Sequence, residues 1–290
     1  MAQGNGGERL TETLIIQIDN GLSSLTIGGD GCDFKLIAHG GFAAADYDVK
    51  AAVSGASDGG YISTARIGTR MLDIKFDFGG RNAEAVRQSL ISFFAPGRML
   101  TVTATRGDIT RRIEGHAADF DISEKNRYSH SAVNLSILCP DPYFKADNTV
   151  YVSAAVKTPM FHLPCHFPCV TGVQSSTGQL EIFNSGDTYA DMTAEIAAAA
   201  SVTAPYILNL TNGKMIKIVG TLTAGSILRI STVRRAKAAA ISGGVRCLID
   251  PASQFSDFLE VGLNQLTFGS NEGSDSLSAN VQYTALFYGI

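Results

Sequence analysis

The chain has 290 residues, 45% of them hydrophobic and 17% charged, with a formal net charge of −4. That much apolar material can bury two ordinary cores, so two domains are expected at this length. The acidic balance offers no dense basic stripe of the kind that neutralises a phosphate backbone, which argues against sequence-reading of DNA or RNA.

Thirty glycines, eight prolines and no tryptophan, among many Ser, Thr and Val residues, point to short strands joined by tight turns. The stretch from Met1 to Thr13 is polar and lacks the basic start and apolar middle of a secretory signal. Synthesis and folding in the cytoplasm are therefore expected. The clearest strand runs from Leu72 to Phe78, where Leu72, Ile74, Phe76 and Phe78 alternate with Asp73, Lys75 and Asp77. Gly79 and Gly80 break it. Asn82 then caps a predicted helix whose Val86, Leu90, Phe93 and Phe94 share one face, and Pro96 and Gly97 end it. Met99 to Thr105 and Ile109 to Gly115 are predicted arms of a hairpin across Arg106, Gly107 and Asp108, and a further strand passes through Val133, Leu135 and Ile137. This first part predicts a mainly antiparallel sheet with one helix on a face, closing at Cys139 to Phe144.

Residues 145–180 mix polar residues with Pro159, Pro164 and Pro168, which suits a linker and an irregular or edge segment. The boundary is placed at 150, giving domains 1–150 and 151–290. Beyond it, Pro205 to Leu210 and Lys214 to Val219 flank Thr211-Asn212-Gly213, where Asn-Gly supplies the positive φ angles of a tight hairpin turn. A second hairpin is predicted between Leu222 and the run Ile227 to Ile230, turning at Ala224 and Gly225. Runs at Arg246 to Ile249, Gln265 to Phe268 and Val281 to Tyr288 add strands, and Ala194 to Ala200 fits a short helix by propensity and a strand or loop by setting. Many short strands at close spacing predict a sandwich or barrel, so the fold class is mainly β.

Candidate chemistry is sparse. His162, Cys165, His166 and Cys169 form the one cluster of soft metal ligands, but its prolines restrict the chain and no second ligand pair stands at finger spacing. Five cysteines, odd in number and scattered, fit reduced thiols. Arg106-Gly107-Asp108 spells an adhesion tripeptide, yet a hairpin turn calls for the same residues. No Gly-x-Ser-x-Gly elbow occurs, and His39, His116 and His130 lie apart in the chain. The pairs Gly40-Gly41 and Gly79-Gly80 lack dinucleotide-loop spacing. Neither an enzymatic activity nor a cofactor, metal or catalytic residue is expected, and no apolar run reaches membrane-spanning length. Among Asp46, Asp48, Asp73, Asp77, Asp119 and Asp121, alternation places several on exposed strand faces, either as an ordinary solvated surface or as the lining of an acidic channel.

The order of these pieces resembles the siphovirus distal tail protein family of bacteriophages. The resemblance is carried by the strand from Met71 to Phe78, the helix ending at Phe93 to Gly97, the hairpin, and the Asp-Pro-aromatic close at Cys139 to Phe144. In the second half it is carried by Phe183 to Asp187, Asn209 to Ile218, Arg234-Arg235 and Gly262 to Asn264. Position 143 is Tyr where the family often has Trp, and the first forty residues match poorly.

The resemblance implies a tail-tube-like N-terminal belt domain that assembles as a homo-hexameric ring, and a peripheral C-terminal β-sandwich of galectin-like outline. It implies a structural virion protein at the tail tip, joining the tail tube protein to the tip hub, a tail-associated protein or the baseplate. A receptor-binding protein is a further implied partner, and DNA is met only in passage through the channel. The competing reading is a carbohydrate-binding β-sandwich for attachment to the host surface.

Overall fold

The computed structural model describes residues 14–44, 47–53, 55, 58–79, 82–123, 131–155 and 178–290. The chain divides into two compact units, Met1–Asp147 with Phe287–Ile290, and Asn148–Leu286.

The first unit contains β1 (Ile15–Asp19), β2 (Ser24–Ile27), β3 (Lys35–Gly40), β4 (Tyr47–Val53), β5 (Gly60–Ile67), β6 (Arg70–Phe78), α1 (Ala83–Phe93), β7 (Met99–Arg106), β8 (Ile109–Ser123), β9 (Ser131–Cys139) and β10 (Phe144–Ala146). The main sheet runs in the order β2-β1-β7-β8-β9-β6-β3, antiparallel at every step. In β6 the alternation holds: Leu72, Ile74, Phe76 and Phe78 are buried, while Asp73 and Lys75 face solvent. Each such buried side chain contributes about 1.5–3 kcal/mol.

The hairpin closes on Gly107 and Asp108 alone, since Arg106 pairs with Ile109, and Gly107 takes the left-handed conformation at φ 57° that a side chain would resist. β8 is longer than its sequence pattern suggests. It pairs with β7 up to His116, shifts register between Ala117 and Asp119, and continues along β9. The bulge falls within the β8–β9 ladder just past the end of the β7–β8 ladder.

Helix α1 lies on the core through Leu90, with Val86 and Phe93 packed beside it and Phe94, buried at its end, 5.0 Å from the Phe120 ring. Asn82 stands at the N-cap, but its backbone sits at φ −110°, ψ 25°, outside the extended cap geometry, and its side chain makes no cap bond. At the other end Asn20 Nδ2 donates to the Phe93 carbonyl at 3.1 Å, satisfying a group the helix leaves open.

The second unit contains β11 (Val150–Ala155), β12 (Gln179–Asn184), β13 (Asp191–Ala198), β14 (Val202–Thr203), β15 (Tyr206–Asn209), β16 (Met215–Val219), β17 (Thr221–Leu222), β18 (Ile227–Ser231), β19 (Ala238–Ile241), β20 (Val245–Arg246), β21 (Leu248–Ile249), β22 (Gly262–Gly269) and β23 (Leu277–Thr284). A last short strand, β24 (Leu286–Phe287), follows. The orders β11-β23-β13-β18-β19-β20 and β12-β22-β15-β16-β21 form two sheets. Their inward residues, among them Ile196, Leu228 and Val281 from one and Ile182, Ile207 and Leu266 from the other, belong to one core, which makes a sandwich.

One open assignment is settled and three expectations are corrected. The Ala-rich segment is β13, an interior strand with alternating burial. Leu222 does not pair with the Ile227 run: β17 pairs with β14, while β18 pairs with β13 and β19. The turn between them exists, with Ser226 N donating to the Thr223 carbonyl at 3.1 Å, but it separates strands that go to different partners. The run Arg246 to Ile249 is two strands, β20 on one sheet and β21 on the other. The Asn212-Gly213 hairpin is present, but only Gly213 has positive φ, at 72°, and Gly213 N donates back to the Asn209 carbonyl in a longer loop.

Candidate assembly surfaces

Strands β3, β6, β9 and the second half of β8 present a polar outer face whose residues fall in rows. Asp73, Ser136 and Asp119 are successive partners in one row, and Lys75, Asn134 and Asp121 in the next. Adjacent strands lie about 4.8 Å apart, so Asp73 and Asp119 flank Ser136 at about 10 Å from one another. Ser136 Oγ donates to Asp73 Oδ1 at 2.6 Å. Asp73, Asp119 and Asp121 are exposed, Asp77 is half-buried, and Asp46 lies outside the described residues.

Asp48 is elsewhere, on the β4–β5 hairpin, where it accepts from Arg66 Nε at 2.8 Å. β4 and β5 pair only with each other, and none of their described residues is buried or contributes to the core of the first unit. Their apolar side chains face outward: Val53 is 85% exposed and Ile62 66%, with Tyr47, Val49 and Tyr61 likewise open. A two-stranded hairpin is at best marginally stable in water, and this one carries apolar surface that its own chain leaves uncovered.

The last residues, Phe287–Ile290, are held by three arginines of the first unit. Arg70, 2% exposed, donates through Nε to the Pro142 carbonyl at 2.7 Å and through Nη1 to those of Gly41 and Ala43 at 2.5 and 3.0 Å. Its Nη2 donates to the Tyr288 carbonyl. Its guanidinium also lies 4.9 Å from the Phe144 ring centre. Arg111 donates to the Gly289 carbonyl and stacks 3.6 Å from the Phe287 ring centre, Arg106 Nη1 donates to the Ile290 carbonyl at 3.4 Å, and Ile290 N donates to Phe42 O at 2.8 Å. The pattern of β6 contains the signal for this clasp: Arg70 has the same parity as Leu72 and so points into the core.

Of the remaining candidates, His39 on β3 and His116 on β8 are separated by β6 and β9, and His116 Nδ1 is bonded to the Arg98 carbonyl at 3.0 Å. Arg106 of the adhesion tripeptide is turned to the chain end, leaving Asp108 exposed alone on the turn. Gly40 and Gly41 serve packing and turning; at Gly41, φ is 78° and a side chain would strike the Met71 carbonyl. Burial, moderated by the Arg70 charge, pushes the Cys139 thiol up to about 12. His130 and the group His162, Cys165, His166 and Cys169 lie outside the described residues. Among the described residues no group of His, Cys, Asp and Glu is arranged to hold a metal ion.

The sequence segments Phe183 to Asp187, Asn209 to Ile218 and Gly262 to Asn264 prove to share a job. Asn184, Asn209 and Asn264 are fully buried. Asn264 accepts from the Glu260 amide at 2.9 Å and from Asn209 Nδ2 at 3.0 Å, and donates to the Glu260 and Gly262 carbonyls. Asn209 donates as well to the Phe258 carbonyl at 2.7 Å and accepts from the Thr211 amide. Asn184 accepts from the Gly186 amide and donates to the Thr188 carbonyl. These side chains replace the backbone partners that turning loops lack, so they are fixtures of the fold and not of a catalytic site.

Residues 185–287 match the family described as siphovirus-type tail component, C-terminal domain. No curated protein matches the chain. Among solved structures, the Dit protein of phage SPP1, described as a paradigm of the hub adsorption apparatus in phages infecting Gram-positive hosts, is 13% identical at a TM-score of 0.65. That match covers 94% of this chain and 99% of the other. A chain of the phage P2 baseplate in its activated conformation with Ca is 10% identical at a TM-score of 0.54, covering 94% of this chain and 98% of the other. Residues 185–287 are thus similar to the siphovirus-type tail component C-terminal domain, on a chain whose fold is similar to that of the SPP1 Dit protein over 94% of its length.

Proposed function

We propose that this protein is a structural component of a phage tail tip that assembles as a ring of six copies between the tail tube protein and the tip hub or baseplate. The observation that carries the reading is the β4–β5 hairpin, whose exposed Tyr47, Val49, Val53, Tyr61 and Ile62 need a neighbouring copy to cover them. In the ring, the face bearing Asp73, Asp119 and Asp121 lines the channel and repels the phosphates of passing DNA, which lets the DNA slide without sticking. The second unit receives a receptor-binding protein. The work done is assembly and passage, with no catalytic step, in a virion tail put together in the host cytoplasm.

Electron microscopy of the purified protein and of virions should show six-fold rings, and Ile62→Asp combined with Tyr61→Asp should leave folded single copies. A protein that stays monomeric at every concentration and is absent from virions would sink the ring. Rings formed equally well by the double variant would sink the role of the hairpin.

A further inference from the structure

The second unit has a polar cavity of about 240 Å³ where β13 begins and β18 ends, walled on the far side by the loop through Phe255 and Phe258. That volume lies just below the range typical of pockets for drug-sized ligands, about 300–1,000 Å³, and restricts the occupant to a small molecule. Arg234 and Lys237 line it together with Tyr189, Asp191, Ser256 and Asp257, and Lys214 stands 5.6 Å from the centre of the Tyr189 ring. The lining itself balances two cations with two carboxylates, Arg234 being paired with Asp191, and Lys214 beside it adds a third cation, a local positive excess on a chain of net charge −4.

The cations hold the cavity open in one shape. Lys214 Nζ donates to the Ser256 and Asp257 carbonyls at 2.9 and 3.0 Å, and Lys237 Nζ donates to Ser256 Oγ at 2.6 Å. Arg234 Nη2 donates to the Tyr189 carbonyl at 3.2 Å, and its Nε lies 3.8 Å from Asp191 Oδ1. Asp257 sits at φ 52°, one of only two non-glycine residues in the left-handed region among those described, and Lys214 fixes the two carbonyls beside that strained point. Strain of about 1–3 kcal/mol persists only where the surroundings over-determine it, and it gathers at ligand clamps. A wall fixed in advance loses little entropy when a ligand enters.

We propose that this cavity is a binding site for a small polyhydroxylated anion, a sugar or polyol carrying a phosphate or a carboxylate. Guanidinium and ammonium groups suit the anionic group, while the Ser256 hydroxyl, the Asp191 carboxylate and the Tyr189 ring suit a hydroxylated body. The site stands independently of the ring assembly, because every residue it uses belongs to the second unit.

The test uses the full chain with glycerol 1-phosphate and glucuronate as probes, and inorganic phosphate and glucose as their parts, by calorimetry and hydrogen-exchange mass spectrometry. The expected result is that one charged polyol binds about tenfold more tightly than either of its parts, a difference of about 1.4 kcal/mol. Protection should be confined to peptides covering 189–191, 232–237 and 255–258. Whichever probe prevails assigns the anionic group. Lys237→Gln should weaken that binding about tenfold at unchanged melting temperature, whereas Lys75→Gln on the first unit should not. Should Lys237→Gln lower the melting temperature, the protection map on the unaltered chain decides. Equal binding of inorganic phosphate, protection elsewhere, or no binding of either probe would overturn the proposal.

Discussion

Replacing Arg70 by Met should loosen the chain end from the first unit. The guanidinium gives hydrogen bonds to four backbone carbonyls, those of Gly41, Ala43, Pro142 and Tyr288, at a position 2% exposed. Charge-assisted bonds net about 1.5–3 kcal/mol each, but removing the charge also removes its desolvation cost. The freed carbonyls can recover water as the tail lifts away, so the four do not add. The expected loss is about 3–5 kcal/mol, within the range for breaking a buried charged network. With a urea slope of about 2 kcal/mol per M, the midpoint of the first unit's transition should fall by about 2 M. Hydrogen exchange provides the local readout: the Ile290 amide, bonded to the Phe42 carbonyl at 2.8 Å, should lose protection while peptides of the second unit keep theirs. Arg70→Lys should fall between the two, since a single ammonium cannot reach in four directions. A midpoint shift below about 0.5 M with Ile290 still protected would refute the clasp.

Asn264→Leu removes four buried hydrogen bonds and should destabilise the second unit by about 2–4 kcal/mol, read as an earlier transition by circular dichroism with the first unit unaffected. Gly115→Ala places a methyl 2.7 Å from both the Leu138 carbonyl and an Ile137 methyl, and overpacking should cost about 1–3 kcal/mol in the melting curve of the first unit. The Cys139 thiol should resist a disulfide reagent at pH 8 until urea unfolds the chain. Its folded pKa is raised from 9.0 to about 12, so the unfolded state loses the proton first. The contribution of the neutral thiol is therefore whole below pH 9 and lost as pH rises towards 12, a decline that Cys139→Ala should flatten.

Elements whose two faces meet opposite environments were legible in the sequence. β6 has a core on one side and solvent on the other, and its alternation names both. The hairpin at Gly107 was legible because its turn chemistry is local. Partner choice was not. Leu222 and Ile227 stand at hairpin distance, but a strand pairs with whatever the finished sandwich places beside it, and here that is Val202 for one and Ala197 for the other. The split at Cys247 is invisible for the same reason, since an apolar run gives no sign of changing sheets halfway. β13 was ambiguous because alanine's helical preference is weak against burial between two neighbouring strands. Of the assembly surfaces, the acidic alternation could be read from spacing, whereas the uncovered β4–β5 hairpin could not: only the fold shows that no core reaches it.

The return of Phe287–Ile290 to the first unit bears on the timing of folding. A ribosome makes the chain in order, and domains generally fold as they emerge. Here the residues that complete the first unit are synthesised after the whole of the second, so the nascent first unit waits with the carbonyl sites of its clasp half filled. Arg70, Arg106 and Arg111 receive these partners only when Phe287–Ile290 leave the exit tunnel. The second unit can thus reach its native state before the first is finished, and any surface of the first unit that depends on the clasp becomes competent to assemble only once Phe287–Ile290 have emerged.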